Sequence, residues 1–403
     1  MKFASYLLAY LLLTPWLAAQ QKPAKQDGAA VLARIQAGIA SGSDQAMIEK
    51  DTLRLFGKNN LLQRKVGVRV EGTVALWAII HAEPARVVRG NGVLVGEMIP
   101  VGTEGLQVLA LTLPNLTEFN YRIEAGSMTR VAGSVRVEEV KLPPESNPHA
   151  DIPHGRLERF TWDQSQIFPE TARTVTVYVP AQLKAGEAAS LMVWQDGTRH
   201  ADPTGSMRVP VVFDHLIHAG TMPVTVGVFV DPGRGNKQKE GERAANRGKE
   251  YDSLGDAYVK FLMEEILPDV EKRYSLKFRT EPGARAIAGG SSGGICAFTA
   301  AWERPDQFGK VLSWVGSFVD LRGGHVYPSL IRLHERKPVR VYLMDGTNDL
   351  DNPFGNWPLA NRQMEAALKF QGWDYRMDWS ECFHGSKGMA PILPDALRWL
   401  WRP

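Results

Sequence analysis

The spacing of apolar residues changes along this chain, and each change marks a segment. "MKFASYLLAYLLLTPWLAAQ" is apolar from about Phe3 to Ala19, behind a single Lys2. A short positive start, an apolar centre and small residues at Ala18 and Ala19 describe a signal peptide over 1–19. Pro15 favours its cleavage over retention as an anchor. A polar segment with short helices then spans 20–64, because "AAVLARIQAGIASGSDQAMIEKDTLRLF" carries apolar residues at helical spacing. From about Gly67 the rhythm becomes alternation. "VGVRVEG", "VALWAIIH", "LQVLALTL" and "FNYRIEA", set apart by Gly, Pro, Asn and Thr, predict a small β-sandwich over 65–140. "KLPPESNPHADIPHG" reads as a proline-rich linker over 141–154.

Beyond the linker the apolar runs lose their alternation. "TVTVYVP", "SLMVWQD", "VTVGVFVD", "ARAIAG", "KVLSWVG" and "VRVYLMDG" are apolar throughout, with helical patterns between most of them. Such strands predict an α/β domain over 155–403, built on a mostly parallel sheet covered on both faces. One helical pattern, "SLGDAYVKFLMEEILPDVEKRY", opens with Ser253 and Asp256 in capping-box positions. Ligands of such sheets bind at the carboxyl ends of the strands.

Composition narrows the function class. The 403 residues are 44% hydrophobic and 23% charged with a net charge of +3, which is ordinary for a soluble globular protein. No basic stripe lies among stacking aromatics, so nucleic acid is not expected as a partner. Past Ala19 no stretch is apolar enough to span a bilayer, so the mature protein is expected to be exported, periplasmic or secreted, without stable membrane association. Cys296 and Cys382 exclude a disulfide framework and have no zinc-site spacing. Export would permit them to pair. A packed position for Cys296 favours two free thiols.

Candidate chemistry centres on "AIAGGSSGGICAF", residues 286–298, where G-x-S-x-G fits both Ser291 and Ser292. A strand ends at Ala288 and a helix follows, the strand-to-helix turn on which that pattern presents a nucleophile. A glycine turn binding phosphate is the competing reading. Geometry leans to Ser291, since Gly289 then follows directly on the strand. In this fold type an acid and then a histidine should follow the serine. Of His325, His334 and His384, only the last, in the late loop "ECFHGSKG", suits a mobile base. "VYLMDGTNDLDN" offers Asp345, Asp349 and Asp351. Asp349 has room to turn inwards, Asp345 suits turn hydrogen bonds, and Asp351 suits a helix cap or solvent. Calcium binding by this cluster lacks the EF-hand spacing.

"AGGSSGGICAFTAAWERPDQFGKVLSWVGSF", "DGTNDLDNPFGNWPLANRQM" and "FHGSKGMAPILPDALRWLW" resemble the esterase family that includes enterochelin esterase and related feruloyl esterases, over about residues 152–403. The resemblance implies an α/β-hydrolase fold preceded by an immunoglobulin-like domain. It makes Ser291 the serine of A-G-x-S-x-G-G, Asp349 the acid of G-x-x-[DE] and His384 the base. Arg247 and Glu250 match the family's R-x-x-E, as a structural ion pair. The implied chemistry is serine-dependent hydrolysis of a small-molecule or carbohydrate-linked ester, with no metal or organic cofactor. The backbone N–H groups of Ser292 and of the loop at Gly197 and Thr198 would meet the oxyanion. Relatives usually carry glycines just ahead of the histidine, where this chain has "SECF", so Cys382 and Phe383 would narrow the pocket or alter how the loop moves. Acyl transfer by the same residues, and a non-catalytic glycan-binding protein using Trp77, are the alternatives. Trp194, Trp314, Trp357 and Trp379 lie near strand ends, as an aromatic pocket wall or as sheet packing.

Overall fold

The computed structural model describes residues 28–42, 44–63, 67–126, 128–235 and 246–403. The signal peptide expected at 1–19 lies outside them. The chain divides into two compact units, Met1–Val137 and Glu138–Pro403.

In the first unit, helices Gly28–Ser41 and Gln45–Phe56 precede two four-stranded antiparallel sheets. Strand Val74–Ile80 explains why "VALWAII" is apolar without interruption. Ala75, Trp77 and Ile79 join the core between the sheets, where Trp77 meets Tyr121 edge-on. Leu76 and Ala78 point the other way, into a second core with Val31, Leu32, Ile35 and Ile48 of the helices. A strand buried on both faces has no polar side to show. Trp77 is fully buried and therefore offers no glycan platform.

The second unit is built on a ten-stranded mixed sheet. Its principal strands are β1 (Arg156–Trp162), β2 (Thr171–Val179), β3 (Ala188–Gln195), β4 (Thr225–Val230), β5 (Arg285–Gly290), β6 (Lys310–Trp314), β7 (Arg340–Gly346) and β8 (Asp374–Ser380). They lie in the order β1-β2-β4-β3-β5-β6-β7-β8. β2 runs antiparallel to both neighbours, and every pairing from β4 to β8 is parallel. Alternation decides the faces. Leu191 and Val193 enter the core under helices Ser292–Glu303 and Trp357–Phe370, while Met192 and Trp194 enter the one under Val209–His218 and Leu393–Trp401.

Two local expectations differ. The helix expected to open at a Ser253–Asp256 capping box begins at Ala257, and Asp256 instead pairs with Lys260 at 2.8 Å, one turn on. The segment read as a proline-rich linker packs within the second unit. Arg208 donates to the Ser146 carbonyl at 3.1 Å, and His154 Nδ1 lies 3.0 Å from Asp214 Oδ2.

Candidate active site

The register of the parallel strands brings their carboxyl ends to one edge: Gly290 lies beside Trp314, Trp314 beside Met344, and Gly346 beside Ser380. Ser291, Ser317, Asp349 and His384 each follow one of these ends, so the sheet fixes their spacing before any side chain is placed.

Ser291 follows β5 directly, with φ 59° and ψ −124°, a conformation costly to a residue with a side chain. The surroundings over-determine it. Its N–H donates to the Trp314 carbonyl at 3.0 Å, and its own carbonyl accepts from Gly294, Ile295 and Ser317. A Cβ at Gly289 would stand 2.3 Å from the Gly293 carbonyl oxygen, so the turn closes only around glycine. The Ser291 hydroxyl lies 2.9 Å from His384 Nε2. Ser292 is buried, and its hydroxyl makes no hydrogen bond to His384 among the described residues; it lies on the side of Asp252, whose carboxyl it helps to hold down.

His384 follows β8 in a loop anchored by Glu138, whose carboxylate accepts from the Phe383 N–H at 2.9 Å. The imidazole Nδ1 lies 2.6 Å from Asp349 Oδ1, and Trp357 stands edge-on to the ring at 5.8 Å between centroids. Asp349 sits in the turn after β7, and its side chain is 0% exposed. Its Oδ1 also accepts from the Leu350 N–H at 2.5 Å. Three other candidates lie apart from this chain of contacts. Asp351 is exposed, His325 pairs with Asp320 at 3.2 Å, and His334 binds the Leu330 carbonyl at the end of its own helix. Asp345 is fully buried behind the turn.

One participant was not legible in the sequence. Ser317 Oγ lies 3.3 Å from Ser291 Oγ and accepts from Trp357 Nε1 at the same distance. With the indole donating to it, the Ser317 hydroxyl hydrogen is free to point at Ser291. No spacing rule marks a serine in the loop after β6. Only the fold brings it here.

Across from the histidine, Asp196 at the end of β3 pairs with Arg247 through two hydrogen bonds of 2.8 and 2.7 Å. Burial pushes the Asp196 carboxyl up, but Arg247 outweighs it and holds the group below its ordinary value. The expected Arg247–Glu250 pair therefore does not form. Glu250 turns inwards to Arg173, at 2.6 and 3.1 Å with both side chains 0% exposed. Residues three apart in the helix Arg247–Tyr251 reach different partners because one faces the strand ends and the other the interior.

Thr198 also departs from expectation. Its N–H donates to Asp231 Oδ1 at 2.8 Å and its hydroxyl to Oδ2 at 2.6 Å, so that amide is already spent. The N–H groups of Gly197 and Ser292, each the first residue of a helix, have no partner within it. Burial raises the Asp231 carboxyl despite the Thr198 bonds. Burial also pushes the His200 ring down to about 4, leaving it neutral.

Ser291, His384, Trp314 and Asp231 border a cavity of about 600 Å³, together with Arg199 and Arg234. Neither of those two arginines has a carboxylate within ion-pairing distance among the described residues. The described residues hold no group of three or more His, Cys, Asp or Glu placed to bind a metal. Of the four tryptophans near strand ends, Trp314 edges the cavity and Trp357 backs the histidine, while Trp194 is buried under the sheet and Trp379 bonds to Glu365. Both cysteines are unpaired and buried.

Residues 165–380 match the family described as "Putative esterase". The structure is similar to that of enterochelin esterase from Shigella flexneri, at 17% identity and a TM-score of 0.59, over 87% of this chain and 99% of that one. Ferric enterobactin esterase from Salmonella typhimurium is similar at 16% identity and 0.56, over 82% and 94%. A ferulic acid esterase from Anaeromyces mucronatus is similar at 15% and 0.51, over 65% and 98%. At such identities the likeness concerns the fold. Among curated proteins none matches. The family match covers more than half of the chain, which therefore belongs to this esterase family and is a carboxylic ester hydrolase.

Proposed function

We propose that the protein is an exported serine esterase working through an acyl-enzyme, with Ser291 as nucleophile, His384 as base and Asp349 as the acid that orients it. One observation carries the reading: a strained serine on a strand-to-helix turn lies 2.9 Å from an imidazole whose other nitrogen lies 2.6 Å from a buried carboxylate. Ser291 Oγ attacks the ester carbonyl as His384 Nε2 takes its proton, and Asp349 stabilises the imidazolium that forms. The N–H groups of Ser292 and Gly197 receive the negative oxygen. His384 then gives the proton to the departing alcohol. Water, deprotonated in turn by His384, releases the acid and restores the serine.

The substrate is a small-molecule or carbohydrate-linked ester, and the two unpaired arginines at the cavity favour one that carries a negative charge. Export rests on the apolar amino-terminal segment, and no helix of the described residues is long and apolar enough to cross a membrane. We read the first unit as an immunoglobulin-like module, on its paired antiparallel sheets and its place ahead of the esterase domain.

A fluorophosphonate reagent tests the assignment directly. Mass spectrometry should place the adduct on Ser291, and Ser291→Ala should lose both the adduct and ester hydrolysis, about 10⁶-fold in turnover. Ser292→Ala should keep both. Near-normal turnover in Ser291→Ala would sink the reading. A panel of p-nitrophenyl esters, feruloyl and acetylated sugars and catecholate siderophores then sorts the substrate class.

A further inference from the structure

Behind the Asp349 turn the protein buries a second acid, and the hydrogen bonds of the two do not add up if both are ionised. Asp349 Oδ1 accepts from His384 and from the Leu350 N–H, whereas its Oδ2 is buried with no donor among the described residues. Asp345 Oδ1 accepts from the Gly346 N–H at 2.8 Å, and its Oδ2 is likewise buried with no donor among the described residues. The two carboxyls are neighbours across the Gly346 turn, close enough for Asp349 to raise the Asp345 carboxyl. Asn361 is also near, but it already gives its amide to the carbonyls of Gly316 and Trp357, at 3.0 and 3.1 Å. An unpartnered charged oxygen in an unexposed site is costly, and two side by side more so.

We infer that Asp345 is held as a neutral carboxylic acid whose proton bridges to Asp349 Oδ2, making Asp345 a positioning residue for the catalytic carboxylate. One proton satisfies both orphaned oxygens. It also leaves a single negative charge on the pair, on the residue that faces the imidazole. Burial and then the adjacent Asp349 carboxylate push the Asp345 carboxyl up to about 9, in the direction the geometry demands. The inference rests on the reading of Asp349 as the acid of the triad.

The other titratable groups around Asp345 are His384, beyond Asp349, and Cys382 and Glu138, with Lys387 bonded to the Glu138 carbonyl. Burial pushes the Cys382 thiol up to about 11, so it titrates after the pair. Loss of the shared proton should therefore appear as an alkaline limb near pH 9 in kcat, as two adjacent carboxylates repel and Asp349 shifts. The linkage has a definite sign. Folded Asp345 holds its proton more tightly than the unfolded chain does, so its contribution to stability is complete below the ordinary carboxyl range and is lost as pH rises through about 9.

The experiment compares Asp345→Val, Asp345→Asn, Asp349→Asn and Cys382→Ala on one chromogenic ester. Asp345→Val should lower kcat at least tenfold with KM within about twofold. Asp345→Asn, whose amide can donate to Asp349 and accept from Gly346, should recover most of that loss. It should also abolish the alkaline limb and flatten the fall of the urea midpoint with pH. Cys382→Ala should keep the limb. If Val does not fold, the pH profiles of wild type and Asn still decide. An unchanged alkaline limb in Asp345→Asn, or a kcat as low as that of Val, overturns the inference. Were Asp349→Asn itself harmless, the triad reading would fail instead, which separates the two outcomes.

Discussion

The chain buries acids on both sides of Ser291 and gives them different kinds of partner. On the side of the β3 and β4 ends three carboxylates meet side-chain donors: Asp196 meets Arg247, Asp231 meets Thr198 and Glu250 meets Arg173. On the histidine side, Asp349 has no arginine or lysine partner among the described residues, only His384, a backbone N–H and another carboxyl. The difference fits the proposed roles. With Asp349 orienting His384, a guanidinium on it would compete with the imidazolium for its charge and weaken the base. On the inference above, a neutral Asp345 fixes the carboxylate and leaves that charge in place. Carboxylates outside the proposed triad can pair strongly without that loss.

The largest effect should come from the side where the charge is used. Asp349→Asn should lower turnover by about 10⁴-fold, as the loss of the orienting carboxylate does in serine proteases. Asp351→Asn, in an exposed position, should stay near wild type. Folded content measured by circular dichroism must be equal. If Asp351→Asn proved the worse of the two, the turn after β7 would be misassigned.

The next effect is on stability and belongs to the other side. Arg173→Met leaves Glu250 ionised in an unexposed site and should cost about 3–5 kcal/mol in denaturant unfolding. The double variant with Glu250→Leu should recover much of that loss, because removing both charges also removes the desolvation penalty. A single variant as stable as wild type would show that Glu250 is already neutral, and the contrast between the two sides would narrow.

How far the site could be read in advance follows the same division. Ser291, Asp349 and His384 each sit in a short segment whose strand, turn and glycines announce it, and the fold joins them in the expected order. Partner choice was less legible. Asp196 and Arg247 are 51 positions apart, and Arg173 and Glu250 are 77 apart. Which of these ions meet is settled by strand order, and strand order leaves no local mark. The R-x-x-E spacing suggested a pair within one helix turn, whereas the interior offered Glu250 a dry partner and the strand end offered Arg247 a mostly buried one. Asp345 illustrates a subtler limit. An aspartate before a glycine reads as a turn former, and it does bond the Gly346 N–H. Its second oxygen becomes informative only when burial removes water as a partner. The amino-terminal unit carried a related ambiguity, since "VALWAII" cannot announce that helices cover its second face.

The smallest effect concerns the two arginines at the cavity, Arg199 and Arg234, which have no carboxylate within ion-pairing distance among the described residues. Arg199 is exposed, so attraction between either guanidinium and an anionic substrate is screened and worth on the order of 0.5–1 kcal/mol each. That corresponds to roughly two- to fivefold in kcat/KM per arginine. Arg199→Gln and Arg234→Gln should each lower kcat/KM for a p-nitrophenyl hemisuccinate by this factor while leaving p-nitrophenyl acetate unaffected. Added salt should shrink the wild-type preference towards that of the variants, because mobile ions screen exposed charges over about 10 Å at 0.1 M. Equal losses on both esters would mean that the arginines shape the cavity, and an unscreened preference would place the recognition deeper, at Arg247.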